Sequence, residues 1–220
     1  MQCMIENRGL FMENNLREES RLKFQFAESG LKFGFPDGDS VVKFDDTKFY
    51  RNSFNALPES KGVDFISTGQ DAISFIEVKN CLGDEGNNRW RIAPDNQKHD
   101  TTATNNDVTG RDSFDIEVSQ KVAMTLAALS GARSFGDRKD SFEELQNSVT
   151  AVFSEKFTMD RMKKYVILFL EGDFGCKSNS KKMIMEKLQR SIRKKMRWLD
   201  CKVSVVDSDT YDKKIFMIVS

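Results

Sequence analysis

The stretch YVILFL, residues 165–170, is apolar at every position. A strand with one wet face alternates apolar and polar residues. A run that does not alternate needs cover on both faces, as an interior strand of a layered sheet has. The run is far too short to cross a bilayer as a helix. The segment that follows, SNSKKMIMEKLQRSIRKKMRWLD (178–200), repeats at helical spacing, with Ile184, Leu188, Ile192, Met196 and Leu199 in one stripe. Taken with the remaining segments, the order helix, strands, helix, strand, helix, strands points to an α/β sandwich around a mixed sheet.

The remaining segments fit that class. Residues 14–29, NNLREESRLKFQFAES, read as a helix on Leu16, Leu22 and Phe26, stopped by Gly30. Residues 40–52 read as one strand, or as a strand with a turn at Asp45-Asp46. Residues 62–67 and 72–79 read as a hairpin turned at Thr68-Gly69-Gln70-Asp71. Residues 80–112 are polar, Asn-rich and without period, and a loop of that length is functional or disordered. A helix is expected over 114–130, closed by Gly131, and a weaker one over 141–157. Strands at 202–208 and 214–220 end the sequence. One domain over 1–220 is expected, with the 80–112 stretch as its insertion.

The hairpin carries charges where an ordinary sheet would not. Asp64 stands in one short apolar run, and Glu77 and Lys79 stand near the end of the other. Alternate residues of a strand share a face, so Glu77 and Lys79 point one way and Val78 the other. Positions 64 and 77 have the same sum as 69 and 72, the flanks of a two-residue turn, so Asp64 falls opposite Glu77. Two adjacent carboxylates repel, and either a proton or a cation relieves them. A hard divalent ion suits oxygen ligands of this kind, and the Val78 carbonyl offers one more.

This arrangement resembles the PD-(D/E)XK nuclease superfamily over roughly residues 14–130: a helix, strands, an Asp, a hairpin, Glu-x-Lys, then a helix. The resemblance implies a restriction-endonuclease-like core, a central mixed β-sheet flanked by helices in α-β-β-β-α-β order, here with an extra C-terminal helix and strands. It implies Asp64 and Glu77 as ligands of Mg2+ (or Mn2+) and Lys79 as the catalytic lysine. Gly62-Val63 stand before Asp64 where the family pattern places Pro. The triplet alone has little specificity. It recurs at Asp46-Thr47-Lys48, Glu59-Ser60-Lys61, Asp137-Arg138-Lys139, Asp200-Cys201-Lys202 and Asp212-Lys213-Lys214. Only Glu77-Val78-Lys79 closes an apolar strand whose hairpin partner carries an Asp.

The same resemblance makes Glu18 or Glu19 an auxiliary acid from the first helix, and Gln120 and Lys121 auxiliary groups from the helix after the hairpin. A solvated helix face is the competing reading for each. Arg89-Trp90-Arg91 sets an aromatic between two guanidinium groups, which suits base stacking and phosphate contact. It equally suits cover of apolar surface. Lys187, Arg190 and Lys194 lie on a helix dense in Lys and Arg, either a phosphate-tracking surface or a charged outer face. His99, the one histidine, has no triad partners in view.

Basic and acidic residues number 34 each, so bulk charge favours no nucleic-acid partner and the case rests on local patches. Cys3, Cys81, Cys176 and Cys201 form no C-x-x-C pair, which removes a structural zinc site. The opening MQCMIENRGLF is polar and acidic where a secretory leader is apolar. A cytoplasmic setting with no membrane association is expected. By resemblance the activity is Mg2+-dependent DNA endonuclease, in restriction or anti-phage defence, with a partner protein or a homo-oligomer. The alternatives are an RNase of the same fold and a non-catalytic subunit that binds nucleic acid or protein.

Overall fold

The computed structural model describes residues 22–98, 110–135, 140–177 and 179–219. Among them the strands are β1 (Leu22–Glu28), β2 (Leu31–Pro36), β3 (Ser40–Lys43), β4 (Phe65–Thr68), β5 (Ala72–Asn80), β6 (Lys163–Glu171), β7 (Lys202–Val206) and β8 (Met217–Val219). The helices are α1 (Lys48–Asn52), α2 (Glu85–Asn88), α3 (Phe114–Phe135), α4 (Gln146–Val152), α5 (Glu155–Thr158) and α6 (Lys181–Lys195). The protein is α/β and divides into two units, residues 1–39 with 212–220, and residues 40–211. No described helix is long and apolar enough to cross a membrane.

The first unit holds an antiparallel sheet in the order β1-β2-β8. Here the structure corrects the helix expected over 14–29. Residues 22–28 are a strand, and 14–21 lie outside the described residues. The segment LKFQFAE alternates at period two, and Leu22, Phe24 and Phe26 form its more buried face. Ser29 and Gly30 both have positive φ, 50° and 78°, the backbone of a two-residue hairpin turn, so Gly30 reverses the chain.

The second unit holds a five-stranded mixed sheet, β3-β4-β5-β6-β7. β3, β4 and β5 are antiparallel, while β5, β6 and β7 are parallel. β6 is interior, and its run from Val166 to Leu170 is buried throughout. The β4–β5 register pairs Phe65 with Ile76 and Thr68 with Ile73, as the hairpin reading required. Residues 44–52 depart from the expected strand. A single 3₁₀ turn (Phe44–Asp46) leads into α1, because Thr47 caps that helix by accepting from the Tyr50 amide.

α3 continues to Phe135 instead of stopping at Gly131. A Cβ at Gly131 would lie 3.6 Å from the Phe49 ring, so the glycine is a packing position inside the helix. The stripe on α6 is buried as its period implies, from Ile184 at 5 % exposure to Leu188 and Ile192 at 0 %. Asp115, in the first turn of α3, binds Ser191 Oγ and Lys195 Nζ, each at 2.7 Å, and so joins the two helices. Residues 80–98 are folded. α2 and successive turns occupy them, and Asn96 accepts from the Ser113 amide at 2.8 Å. Residues 99–109 lie outside the described residues.

Candidate active site

One face of β5 changes chemistry along its length. Ile73 and Phe75 are buried in the apolar core, and Glu77 and Lys79 follow on the same side. The facing surface of α3 changes in the same way. Val122 and Leu129 are core residues, while Lys121 and Glu117, one turn apart, meet the charged end of β5. The apolar layer therefore ends in a layer of ion pairs, next to the carboxyl ends of the parallel strands.

Asp64 stands one residue before β4 and is held through its backbone. Its carbonyl accepts from the Phe44 amide at 2.9 Å, and the Val63 amide donates to Thr125 Oγ1 at 3.1 Å. Its Oδ2 accepts from the Val78 amide at 2.6 Å, across the hairpin. Val78 thus contributes its N–H to the cluster. Gly62 gives this segment its path, since a Cβ there would sit 2.4 Å from the Phe44 ring.

Glu77 is fully buried, and its Oε1 takes two ammonium groups, Lys121 Nζ at 2.6 Å and Lys79 Nζ at 2.7 Å. Lys121 also lies 3.4 Å from Asp64 Oδ1, so one ammonium bridges both carboxylates. The second oxygen of Glu77, Oε2, is buried without a hydrogen-bond partner. A buried carboxylate oxygen left bare costs free energy unless something cationic meets it. The donor set is two carboxylates of hard oxygen, which fits a divalent ion such as Mg2+.

Glu117 extends the cluster. Its Oε1 lies 2.8 Å from Lys79 Nζ, and its Oε2 pairs with Arg91 Nη2. Arg91 is buried, stacked over the Phe114 ring at 4.2 Å, and donates to Asn88 Oδ1 at 3.1 Å. The Arg91 guanidinium therefore faces inward, away from the exposed Arg89.

Electrostatics sort these groups. Burial and the neighbouring Glu77 push Asp64 up to about 7, against the pull of Lys121, Lys79 and the Val78 amide. Burial also works to raise Glu117, but Lys79 and Arg91 outweigh it and hold that carboxyl at about 2. Burial favours loss of the proton from Lys79 and Lys121. Glu77 prevails over it in both, with Glu117 assisting at Lys79 and Asp64 at Lys121, and both lysines are raised.

The structure thus brings Asp64, Glu77, Lys79 and Lys121 together, and adds Glu117 and Arg91. Gln120 points elsewhere, its Oε1 accepting from Lys61 Nζ at 3.0 Å. Glu18, Glu19 and His99 lie outside the described residues. The competing Asp46 and Glu59 are surface groups, paired with Lys43 at 3.2 Å and Lys98 at 2.7 Å. Trp90 is half-buried, with its indole N–H enclosed and unbonded. Lys187, Arg190 and Lys194 are exposed along α6. Glu117 was the residue that sequence reasoning passed over. An acid in the first turn of a helix has the ordinary explanation of complementing the helix dipole. Its spacing of one turn from Lys121 was the available signal.

Fold and site together define an α/β protein with a buried ionic cluster at the carboxyl end of its central strands. The chain belongs to DUF6661, a family of unknown function, whose family model matches residues 47–220 and so includes every residue of the cluster. No curated protein and no solved structure matches the chain.

Proposed function

We propose that this protein is a metal-dependent phosphodiesterase of the PD-(D/E)XK, restriction-endonuclease-like class, cutting nucleic acid and most simply DNA. The observation that carries the reading is Glu77: fully buried, beside Asp64, with one oxygen saturated by two ammonium groups and the other bare. The run β3-β4-β5-α3-β6, with the short α1, α2, α4 and α5 between its members, supports it by matching the β-β-β-α-β part of the order expected of that core. The leading helix of that order is replaced by strand β1 over residues 22–28.

Asp64 and Glu77 would hold a Mg2+ or Mn2+ ion, which supplies Lewis-acid charge to a phosphate oxygen when bound. Lys79 keeps its proton between Glu77 and Glu117, so it acts as an ammonium. A fixed positive charge there stabilises the negative charge that builds on phosphorus in the transition state. Burial and Glu77 push Asp64 up to about 7 in the metal-free protein; as a ligand it would be held as a carboxylate, so binding the ion would release that proton. Glu117 and Arg91 hold Lys79 in line. A place in restriction or anti-phage defence, with a partner protein, follows from the resemblance alone.

The test is cleavage of plasmid, single-stranded and duplex linear DNA, and RNA in Mg2+ or Mn2+, with EDTA as blank, by wild type and Lys79→Ala. Metal-dependent cutting that disappears in Lys79→Ala supports the reading. Equal cutting by both proteins, or none by either, removes it.

A further inference from the structure

β5 and β6 are adjacent and parallel, and they end side by side at Asn80 and Glu171. The segments that leave them stay together: the Cys81 amide donates to the Glu171 carbonyl at 3.0 Å, and the Asp173 amide to Glu85 Oε1 at 3.1 Å. Between these segments and the start of α6 lies a cleft of about 320 Å³. Such a cleft, outside the carboxyl ends of parallel strands, is where open α/β sheets bind ligands.

Its lining is chemically simple. Ile92, Phe174 and Ile184 supply apolar wall, with Phe174 and Ile184 themselves nearly buried. Arg89 and Lys187 are its charged members, and no carboxylate lines it among the described residues. Lys187 is oriented by Asn179, whose Oδ1 accepts from its Nζ at 3.0 Å. Arg89 and Lys187 are far apart in sequence, and the fold brings them to one cavity. The cleft and the ionic cluster also share a strand of chain. Arg89 and Ile92 face the cleft, while Arg91 between them reaches Glu117 and, through it, Lys79.

An apolar slot of this size with two cations and no anion suits a flat, weakly polar ring joined to a negatively charged group. A nucleotide is that molecule, and its base is free to enter only where it is unpaired. Resting on the phosphodiesterase reading above, we propose that this cleft binds one unpaired nucleotide of the strand being cut, so that the substrate class is single-stranded nucleic acid. The base lies against Ile92, Phe174 and Ile184, and its phosphates meet Arg89 and Lys187.

The test is binding without cutting, by fluorescence anisotropy in EDTA. The probes are a labelled single-stranded oligonucleotide, as DNA and as RNA, and the blunt duplex of the same sequence. Wild type, Arg89→Ala/Lys187→Ala and Lys194→Ala are compared, each checked for an unchanged melting temperature. Wild type is expected to bind either single strand more tightly than duplex. The double variant is expected to lose about tenfold, and its slope of log affinity against log salt to fall by about 1.4, near 0.7 per phosphate contact. Lys194→Ala is expected to bind nearly as wild type does. Equal affinity for duplex, an unaffected double variant, an equal loss in Lys194→Ala, or no binding at all overturns the proposal. Single-strand binding of this pattern without metal-dependent cutting leaves the cleft standing and removes the nuclease reading.

Discussion

Lys121 Nζ lies 2.6 Å from Glu77 Oε1 and 3.4 Å from Asp64 Oδ1, so a lysine of α3 occupies the position between the two carboxylates proposed to hold a divalent ion. An ammonium and a metal ion compete for such a place, because both are drawn by the same negative charge and repel each other. At an effective dielectric of about 20, two unit charges 4 Å apart interact by about 4 kcal/mol. Lys121→Met is therefore expected to bind Mn2+ about tenfold more tightly than wild type in calorimetry, which recovers only part of that repulsion. The same variant should melt lower in EDTA, since it removes the ammonium that bridges Asp64 and Glu77 and leaves Lys79 alone to offset them. An unchanged or weaker Mn2+ affinity would show that Lys121 helps to hold the ion.

Asp64 sets a pH dependence whose sign is unusual for a carboxylate. Its folded value of about 7 lies above its ordinary 3.8, so the folded protein binds that proton more tightly than the unfolded chain does. The contribution to stability is fully present below about pH 4 and declines as pH rises to about 7, by on the order of 2–4 kcal/mol. Glu117 has the opposite sense. Its folded value of about 2 lies below its ordinary 4.5, so its contribution is lost as pH falls from about 4.5 toward 2 and stays constant between pH 5 and pH 8. In EDTA, wild type is expected to melt lower at pH 8 than at pH 5. Asp64→Asn, which mimics the protonated carboxyl, is expected to lose most of that difference and to melt above wild type at pH 8. Melting curves at the two pH values decide it, and an identical slope in Asp64→Asn would remove Asp64 as the cause.

The parts of this structure that could be read in the sequence are those in which one physical rule acts alone. The unalternating run in β6 and the single stripe on α6 each have one structural solution. The hairpin register follows from the turn, and a two-residue turn puts Asp64 across from Glu77, the register that the pairing of Phe65 with Ile76 continues. Where two rules fit the same residues, the sequence was ambiguous. In LKFQFAES, Leu22 and Phe26 satisfy a helix as well as Leu22, Phe24 and Phe26 satisfy a strand, and Gly30 serves as a helix stop or a hairpin turn. Only pairing with β2 separates the two, and that contact is made outside the segment. Glu117 and Arg91 were hidden for a related reason. A charged side chain shows nothing of its burial until its partner is known, and the pairing of these two accompanies a buried Arg91 and a half-buried Glu117. The cleft was invisible altogether, since its two cations come from segments that only the fold brings together.

Gly62 links packing to the site in a way a single substitution can test. A Cβ at this position would meet Phe44 Cδ1 at 2.4 Å and Cε1 at 2.6 Å, with Tyr50 Cε2 at 3.2 Å. Phe44 cannot swing aside easily. It is fully buried, and its ring meets Tyr50 edge-on at 5.4 Å. Overpacking of this kind costs about 1–3 kcal/mol. For a chain of this size that corresponds to a fall in melting temperature of about 2–4 °C per kcal/mol. The strain also has a direction. The Phe44 amide donates to the Asp64 carbonyl, so displacing Phe44 displaces the backbone that carries the carboxylate. Gly62→Ala is thus expected to melt lower than wild type and, through Asp64, to bind Mn2+ more weakly, although it alters no charged group. A variant that melts and binds metal as wild type does would show that the Phe44 ring yields without moving Asp64, and that this close approach does not position the site.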